Sequence, residues 1–282
     1  MSKTIHILGA GGAAGIGMTR CLKDYYDVLG LDDSTWARLI MECDDGTGKM
    51  TDMVIPVPDE LVYERARITT QENYLFLPHI SHITLCRHKD RTASVLGDLS
   101  PLTYWVRDTT GAGGKGAQMA SEYLPGKNCS VELVYYKGVL KASFQKERLS
   151  YLVAKKEPDV TKSGSSMVSI CIQDSELMSR SMEAIEKISA YTESIAHGFY
   201  GIDFKYDENG VPKVTEINAG RLLTASYVYY YMTGYNLPLV GVRAHFGEST
   251  PQLPDYPVGY GIIRQVDKEP QVFPPEVTKS WL

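Results

Sequence analysis

The chain has 282 residues, 43% hydrophobic and 22% charged, with a formal net charge of −5. That length holds one large domain or two to three small ones with ample core, the composition is that of a soluble globular protein, and the acidic balance argues against a sequence-independent nucleic-acid binder, which needs a basic surface. Cys21, Cys43, Cys86, Cys129 and Cys171 form no CxxC pair, so no disulfide framework or zinc site is expected and a reducing cytoplasm is the expected compartment. Met1 to Thr4 lead directly into a strand pattern. Neither a signal peptide nor an apolar run long enough for a bilayer is read, and no membrane partner is expected.

Thr4 to Leu8 read as a short apolar strand, followed by the glycine-rich turn from Gly9 to Gly17, a helix over about Met18–Asp24, and a second strand from Val28 to Leu31 that ends at Asp32 and Asp33. Such a strand–turn–helix–strand unit offers free helix N–H groups to an anion. Ala14 stands where a strict Gly-x-Gly-x-x-Gly needs its third glycine, so a dinucleotide site ranks below a Rossmann-like layer that uses its glycines for close packing. Met53 to Glu60 read as another parallel strand with its connecting loop. Asp59 is expected to cap the following helix; contact of Asp59 or Glu60 with a substrate amine is the alternative. His79 and His82 have no third ligand in sight, so a surface or core role is expected.

Cys86 to Thr92 form a basic helix start. Tyr104 to Arg107 read as a strand, and Asp108 to Gly116 as a loop in which Gly111, Gly113, Gly114 and Gly116 allow backbone N–H groups to approach phosphates. Lys115 is not a Walker lysine, because that motif is absent. Val139 to Phe144 read as a strand, with Gln145 to Arg148 as a basic turn; Lys146 and Arg148 are candidates to face phosphates or substrate. A helix is expected from about Ser175 to His197, capped by Asp174, with Met178, Met182, Ile185, Ile188 and Ile195 on its packed face. Tyr227 to Tyr231 lie on an apolar helix and serve packing or a subunit interface.

The densest chemistry lies between Gly201 and Arg221. Asp203 sits mid-strand, where a carboxylate is costly unless paired or bound to a cation. A turn of Asp207, Glu208, Asn209 and Gly210 follows. Glu216 and Asn218 on the returning strand share one face. Two carboxylates and an amide oxygen make a hard-oxygen site suited to Mg²⁺, whose remaining ligands would be waters and phosphates. Arg221 is placed to hold an anionic intermediate.

This hairpin resembles the ATP-grasp superfamily, in which an acidic residue on one strand and Glu-x-Asn on the next hold the Mg²⁺ ions bridging the ATP phosphates. The matching positions are Asp203, Glu216 and Asn218; Arg221 lies one residue further on than the family's usual arginine. The resemblance extends along nearly the whole chain. Lys89 and Thr92 match the start of the family's A subdomain, and Lys89 and Arg107 match basic residues that touch ATP. Asp108 to Gly116 resemble the family's glycine lid, and Glu122 to Gly126 with Ser130 to Val134 resemble its hinge. There Glu122 and Leu124 flank adenine, and Asn128 stands where a ribose-binding Glu is common. Lys162 to Ser166 resemble the small-residue loop before the last large helix. The N-terminal turn is similar to that of carbamoyl phosphate synthetase-like members.

The resemblance implies an α/β protein: a Rossmann-like pre-ATP-grasp domain at residues 1–85, then a shortened α+β ATP-grasp domain at 86–282, with a short A subdomain (86–121) and a catalytic part (122–282). It implies an ADP-forming ligase that uses ATP and Mg²⁺, or Mn²⁺ in its place, to join a small carboxylate to an amine or thiol through an acyl phosphate, with Arg221, Lys146 and Arg148 as catalytic candidates. Lys89 to Arg107 and Gly116 to Glu122 are shorter than usual in the family, so the lid is trimmed; a non-catalytic or partner-completed ATP-binding protein is the alternative. A nicotinamide oxidoreductase ranks last, since it leaves the hairpin unexplained. A homodimer is the default oligomeric expectation.

Overall fold

The computed structural model describes residues 3–31, 52–68, 75–106, 118–151, 166–265 and 268–281. Strand β1 (Thr4–Leu8) is followed by α1 (Ala13–Leu22), β2 (Asp27–Leu31) and β3 (Met53–Pro56). β1 lies between β2 and β3 and pairs parallel with both. Helix α1 begins earlier than the expected Met18, directly after Gly12. Its glycines are packing residues: a Cβ on Gly15 would collide with the backbone of Gly9 and Ala10, and one on Gly17 would lie 2.5 Å from Cβ of Tyr227.

Next come α2 (Asp59–Ile68), α3 (Ile80–Cys86), α4 (Lys89–Leu96), and the strand pair β4 (Thr103–Val106) and β5 (Gln118–Ser121), which is antiparallel. Asp59 does not cap α2. It is the first helical residue, Pro58 supplies the carbonyl that accepts from Val62 N–H, and the Asp59 carboxylate accepts from Arg221 instead. His79 caps α3 by accepting from Ser81 N–H. His82 is buried between the Tyr200 hydroxyl (2.9 Å) and the Ser194 carbonyl (3.0 Å). Burial lowers its pKa, so it is a neutral core histidine.

The chain then forms β6 (Asn128–Tyr136), β7 (Val139–Tyr151), β8 (Ser166–Cys171), α5 (Ser175–Thr192), β9 (Gly198–Tyr206), β10 (Pro212–Ala219), α6 (Tyr227–Thr233), α7 (Leu237–His245), β11 (Gly261–Gln265) and β12 (Lys268–Phe273). Seven of these strands make one antiparallel sheet in the order β10-β9-β6-β7-β8-β11-β12. One face of its β6–β9–β10 part carries Val131, Leu133, Ile202, Phe204 and Ile217, which share a core with Leu177, Ala184, Ile185 and Ile188 of α5. Each such large aliphatic side chain contributes about 1.5–3 kcal/mol by leaving water. Val134, Phe144 and Phe199 share a second core with α6, α7 and, through Ile5, Ile7 and Met18, the parallel layer.

Asp174 caps α5, accepting from Glu176 and Leu177 N–H. The helix is shorter than expected. It stops at Thr192 because Glu193 turns left-handed (φ 53°) and donates back to Ser189 and Ala190 carbonyls. Ile195 therefore lies beyond the helix and is exposed, Met182 is also exposed, and Leu177, Ser181 and Ala184 take their places on the buried stripe. Tyr227, Tyr229 and Tyr230 are fully buried, so their role is packing. No described helix is long and apolar enough to cross a membrane.

Candidate active site

A side chain's position on the large sheet follows from strand parity. Antiparallel pairing sets Asp203 opposite both Glu216 and Ser130, and Ser130 opposite Lys146; in the next row Asn128 is opposite Lys205 and Arg148. A bulge between Val214 and Glu216 is decisive. Val214 pairs with Phe204 and enters the apolar core, whereas Glu216, two residues later, pairs with Asp203 and joins the opposite face. Regular alternation would have put both side chains on one side, and the extra residue, Thr215, reverses the parity. Glu216, Asn218 and Asp203 all line one cavity of about 490 Å³.

Each oxygen ligand expected for a metal is held by a cation of the protein. Asp203 pairs with Arg148, Glu216 lies 3.5 Å from Lys89, and Asn218 Oδ1 accepts from Arg221, which also grips Asp59. Among the described residues no group of three or more His, Cys, Asp or Glu is placed to hold a metal. Two carboxylates and an amide do not fill an Mg²⁺ shell, so the donor set fits that ion only with phosphate oxygens and waters completing it.

The same cavity gathers most of the other expected residues. Lys89 opens α4 at one wall; Glu122 and Leu124 lie after β5, and Asn128 starts β6. Glu122 ties its segment to Leu102: its N–H donates to the Leu102 carbonyl (2.8 Å) and its carboxylate accepts from Leu102 N–H (3.2 Å). Thr92, by contrast, donates to the Leu85 and His88 carbonyls and braces the helix start. Arg107, Gly111, Gly113, Gly114 and Gly116 lie outside the described residues.

Lys146 borders the cavity but is only 1% exposed, and its ammonium group is engaged by protein oxygens. It contacts Glu132 (3.3 Å) and the Ser226 hydroxyl. Glu132, also fully buried, accepts in addition from Leu223 N–H (2.9 Å), the Tyr230 hydroxyl (2.8 Å) and Ser226. Burial pulls the Lys146 ammonium below the ordinary lysine range, with Glu132 opposing. The sequence points to Lys146 but not to its partners Glu132 and Ser226, although Glu132 between Val131 and Leu133 poses the same mid-strand question as Asp203. Gly201 was missed as well. A Cβ there would lie 2.9 Å from Cγ of Leu223, so the glycine lets the segment after Arg221 cross the sheet.

The sequence matches no protein-family model and no curated protein sequence. Solved structures do match. An ATP-grasp superfamily protein from Archaeoglobus fulgidus aligns with 97% of this chain and 99% of its own, at 16% identity and TM-score 0.62. L-amino acid ligase from Bacillus licheniformis aligns over 92% and 78% at 12% identity and TM-score 0.61. Phosphoribosylglycinamide synthetase from Anaerococcus prevotii aligns over 92% and 79% at 11% identity and TM-score 0.65. At these identities the likeness establishes the fold.

Proposed function

We propose that this chain, which has the ATP-grasp fold, is an ATP-dependent, ADP-forming ligase that joins a small carboxylate to an amine or another nucleophile. The observation that carries the reading is the single sheet face on which Asp203, Glu216 and Asn218 meet Arg148, Lys89 and Arg221 around a cavity of about 490 Å³. That volume lies within the about 300–1,000 Å³ of small-molecule sites. Residues 1–85 are read as the Rossmann-like pre-ATP-grasp domain and residues 86–282 as the ATP-grasp domain.

Asp203, Glu216 and Asn218 would hold Mg²⁺, which would supply charge to screen the phosphates. Lys89, Arg148 and Arg221 then exchange their present partners for phosphate or acyl oxygens. Glu122, Leu124 and Asn128 would line the nucleoside end. An oxygen of the substrate carboxylate attacks Pγ, the bond from Pγ to the β–γ bridging oxygen breaks, and ADP leaves with that electron pair. The nucleophile adds to the acyl phosphate carbon, Arg221 stabilises the resulting oxyanion, inorganic phosphate departs, and the nucleophile loses a proton. Lys146 is read as a positioning residue: with Glu132 it holds Leu223 N–H, two residues beyond Arg221.

Calorimetric titration with a non-hydrolysable ATP analogue plus Mg²⁺, with NADH as control, tests this reading. The analogue is expected to bind wild type and to lose most of its affinity for Glu216→Ala, and NADH is expected not to bind. Unimpaired binding by Glu216→Ala would overturn the metal assignment, and NADH binding alone would return the N-terminal glycine turn as the site. A non-catalytic ATP-binding protein is the second reading, favoured by the short spans from Lys89 to Arg107 and from Gly116 to Glu122. It predicts analogue binding with no ADP release for any carboxylate and amine pair.

A further inference from the structure

Ser130 stands in the middle of the charged sheet face, yet none of the charges uses it. On β6 it alternates with Val131 and Leu133, which enter the core shared with α5, so Asn128, Ser130 and Glu132 take the opposite side. The register sets Ser130 between Asp203 of β9 and Lys146 of β7. Ser130 is 1% exposed, and its hydroxyl has no hydrogen-bond partner among the described residues. What covers it is an ion pair. Arg148 stands opposite Asn128 on one side of β6, and Asp203 stands opposite Ser130 on the other. The bond between Arg148 and Asp203 therefore crosses β6 at the Ser130 row.

Buried hydroxyls are nearly always paired, because an unpaired one loses its water and gains nothing. We infer that Ser130 is a positioning residue whose partner comes with the ligand. When Arg148 leaves Asp203 for a phosphate, the Ser130 hydroxyl donates to the Asp203 carboxylate in its place and fixes the orientation in which Asp203 holds a divalent cation. The inference rests on the metal and phosphate reading of this cavity. The other neighbours of Asp203 are poorly suited to the task. Lys146 is committed to Glu132 and the Ser226 hydroxyl, and Glu216, opposite Asp203 on β10, is itself an acceptor. The Thr215 hydroxyl donates to the Asp203 main-chain carbonyl, not to its carboxylate. Ser130 is in register and already out of water, and a hydroxyl bonded to a carboxylate is charge-assisted and stronger than a neutral pair. Its hydroxyl thus costs stability in the free chain and returns it in the loaded one. A serine kept for the fold alone would show the opposite.

The test compares the full-length wild type with Ser130→Ala in three measurements: denaturant unfolding without ligand, calorimetric binding of the non-hydrolysable ATP analogue without metal, and Mn²⁺ binding in the presence of the analogue, followed by electron paramagnetic resonance. Ser130→Ala is expected to unfold no more easily than wild type and to bind the metal-free analogue equally well. Its Mn²⁺ affinity in the presence of the analogue should fall about tenfold, in line with loss of a hydrogen bond to a charged group. Unchanged Mn²⁺ affinity in Ser130→Ala overturns this inference and leaves the metal reading standing. Lower stability together with a matching loss of metal-free analogue binding also overturns it, since the serine is then part of the fold. Absence of Mn²⁺ binding by wild type with the analogue bound overturns the metal reading and this inference with it.

Discussion

Two charged clusters share one face of the large sheet and differ in what surrounds them. Asp203 and Arg148 keep side-chain exposures of 17% and 15%, and Glu216 and Lys89 keep 39% and 51%, so these pairs border open cavity. Glu132 and Lys146, one strand over, are each 1% exposed and sealed by Ser226, Tyr230 and the Leu223 backbone. A pair near water can exchange partners for phosphate or metal at small cost, because solvent compensates the released charge. A sealed pair cannot, because each buried charge depends on the other. Burial rather than residue type thus separates charges free to change partners from those that hold the segment after Arg221 in place.

The sharpest way to break this distinction is to remove one half of the sealed pair. Glu132→Leu leaves Lys146 buried and uncompensated and should cost about 3–5 kcal/mol in denaturant unfolding. Adding Lys146→Met should recover only part of that loss: it removes the uncompensated charge, but the Leu223 N–H and the Tyr230 and Ser226 hydroxyls remain without their acceptor. Gly201→Ala comes next. Its Cβ meets Leu223, and overpacking of this kind costs about 1–3 kcal/mol. Because Leu223 lies two residues beyond Arg221, the substitution should also weaken ATP-analogue binding measured at a temperature where the variant remains folded.

A control lies away from both clusters. Burial, reinforced by His245 and Lys137, lowers His197 to about 4. Its folded pKa lies below its ordinary value of 6.5, so the unfolded chain binds the proton more readily between these values. Stability should fall as pH drops from about 6.5 towards 4 and level off below, with His197 contributing on the order of 2 kcal/mol. A His197→Gln variant should show a shallower decline in unfolding free energy across that window. The smallest stability effect is expected at the open cluster. Asp203→Asn should cost clearly less than opening the sealed pair, since Asp203 borders open cavity, while strongly reducing Mg²⁺-dependent binding of the analogue.

Local chemistry explains what was legible in advance. The turn from Asp207 to Gly210 forms as its residues dictate, with the Asp207 carboxylate accepting from Asn209 and Val211 N–H and Gly210 at φ 77°. Glu216 and Asn218 share a face, as their spacing requires. Asp174 caps its helix and the tyrosines near residue 230 pack. What was not legible depends on partners distant in sequence. The bulge at Thr215 is fixed by pairing with β9, and Gly201 is explained only by a side chain 22 positions away. Glu132 and Lys146 are 14 apart in sequence and become buried because Ser226 and Tyr230 close over them. Asp59 had a good local role as a cap, and Arg221, 162 positions away, claimed it instead.

A paramagnetic titration tests whether the open cluster binds a metal together with nucleotide phosphates. Mn²⁺ in place of Mg²⁺ would be followed by electron paramagnetic resonance, with and without the ATP analogue, in wild type and in the Asp203→Asn/Glu216→Gln double variant. Three protein oxygens do not complete the ion's shell, so wild type should bind Mn²⁺ strongly only when the analogue is present, and the double variant should lose that binding. Equal Mn²⁺ binding by the double variant, or binding by wild type that ignores the nucleotide, would contradict the assignment.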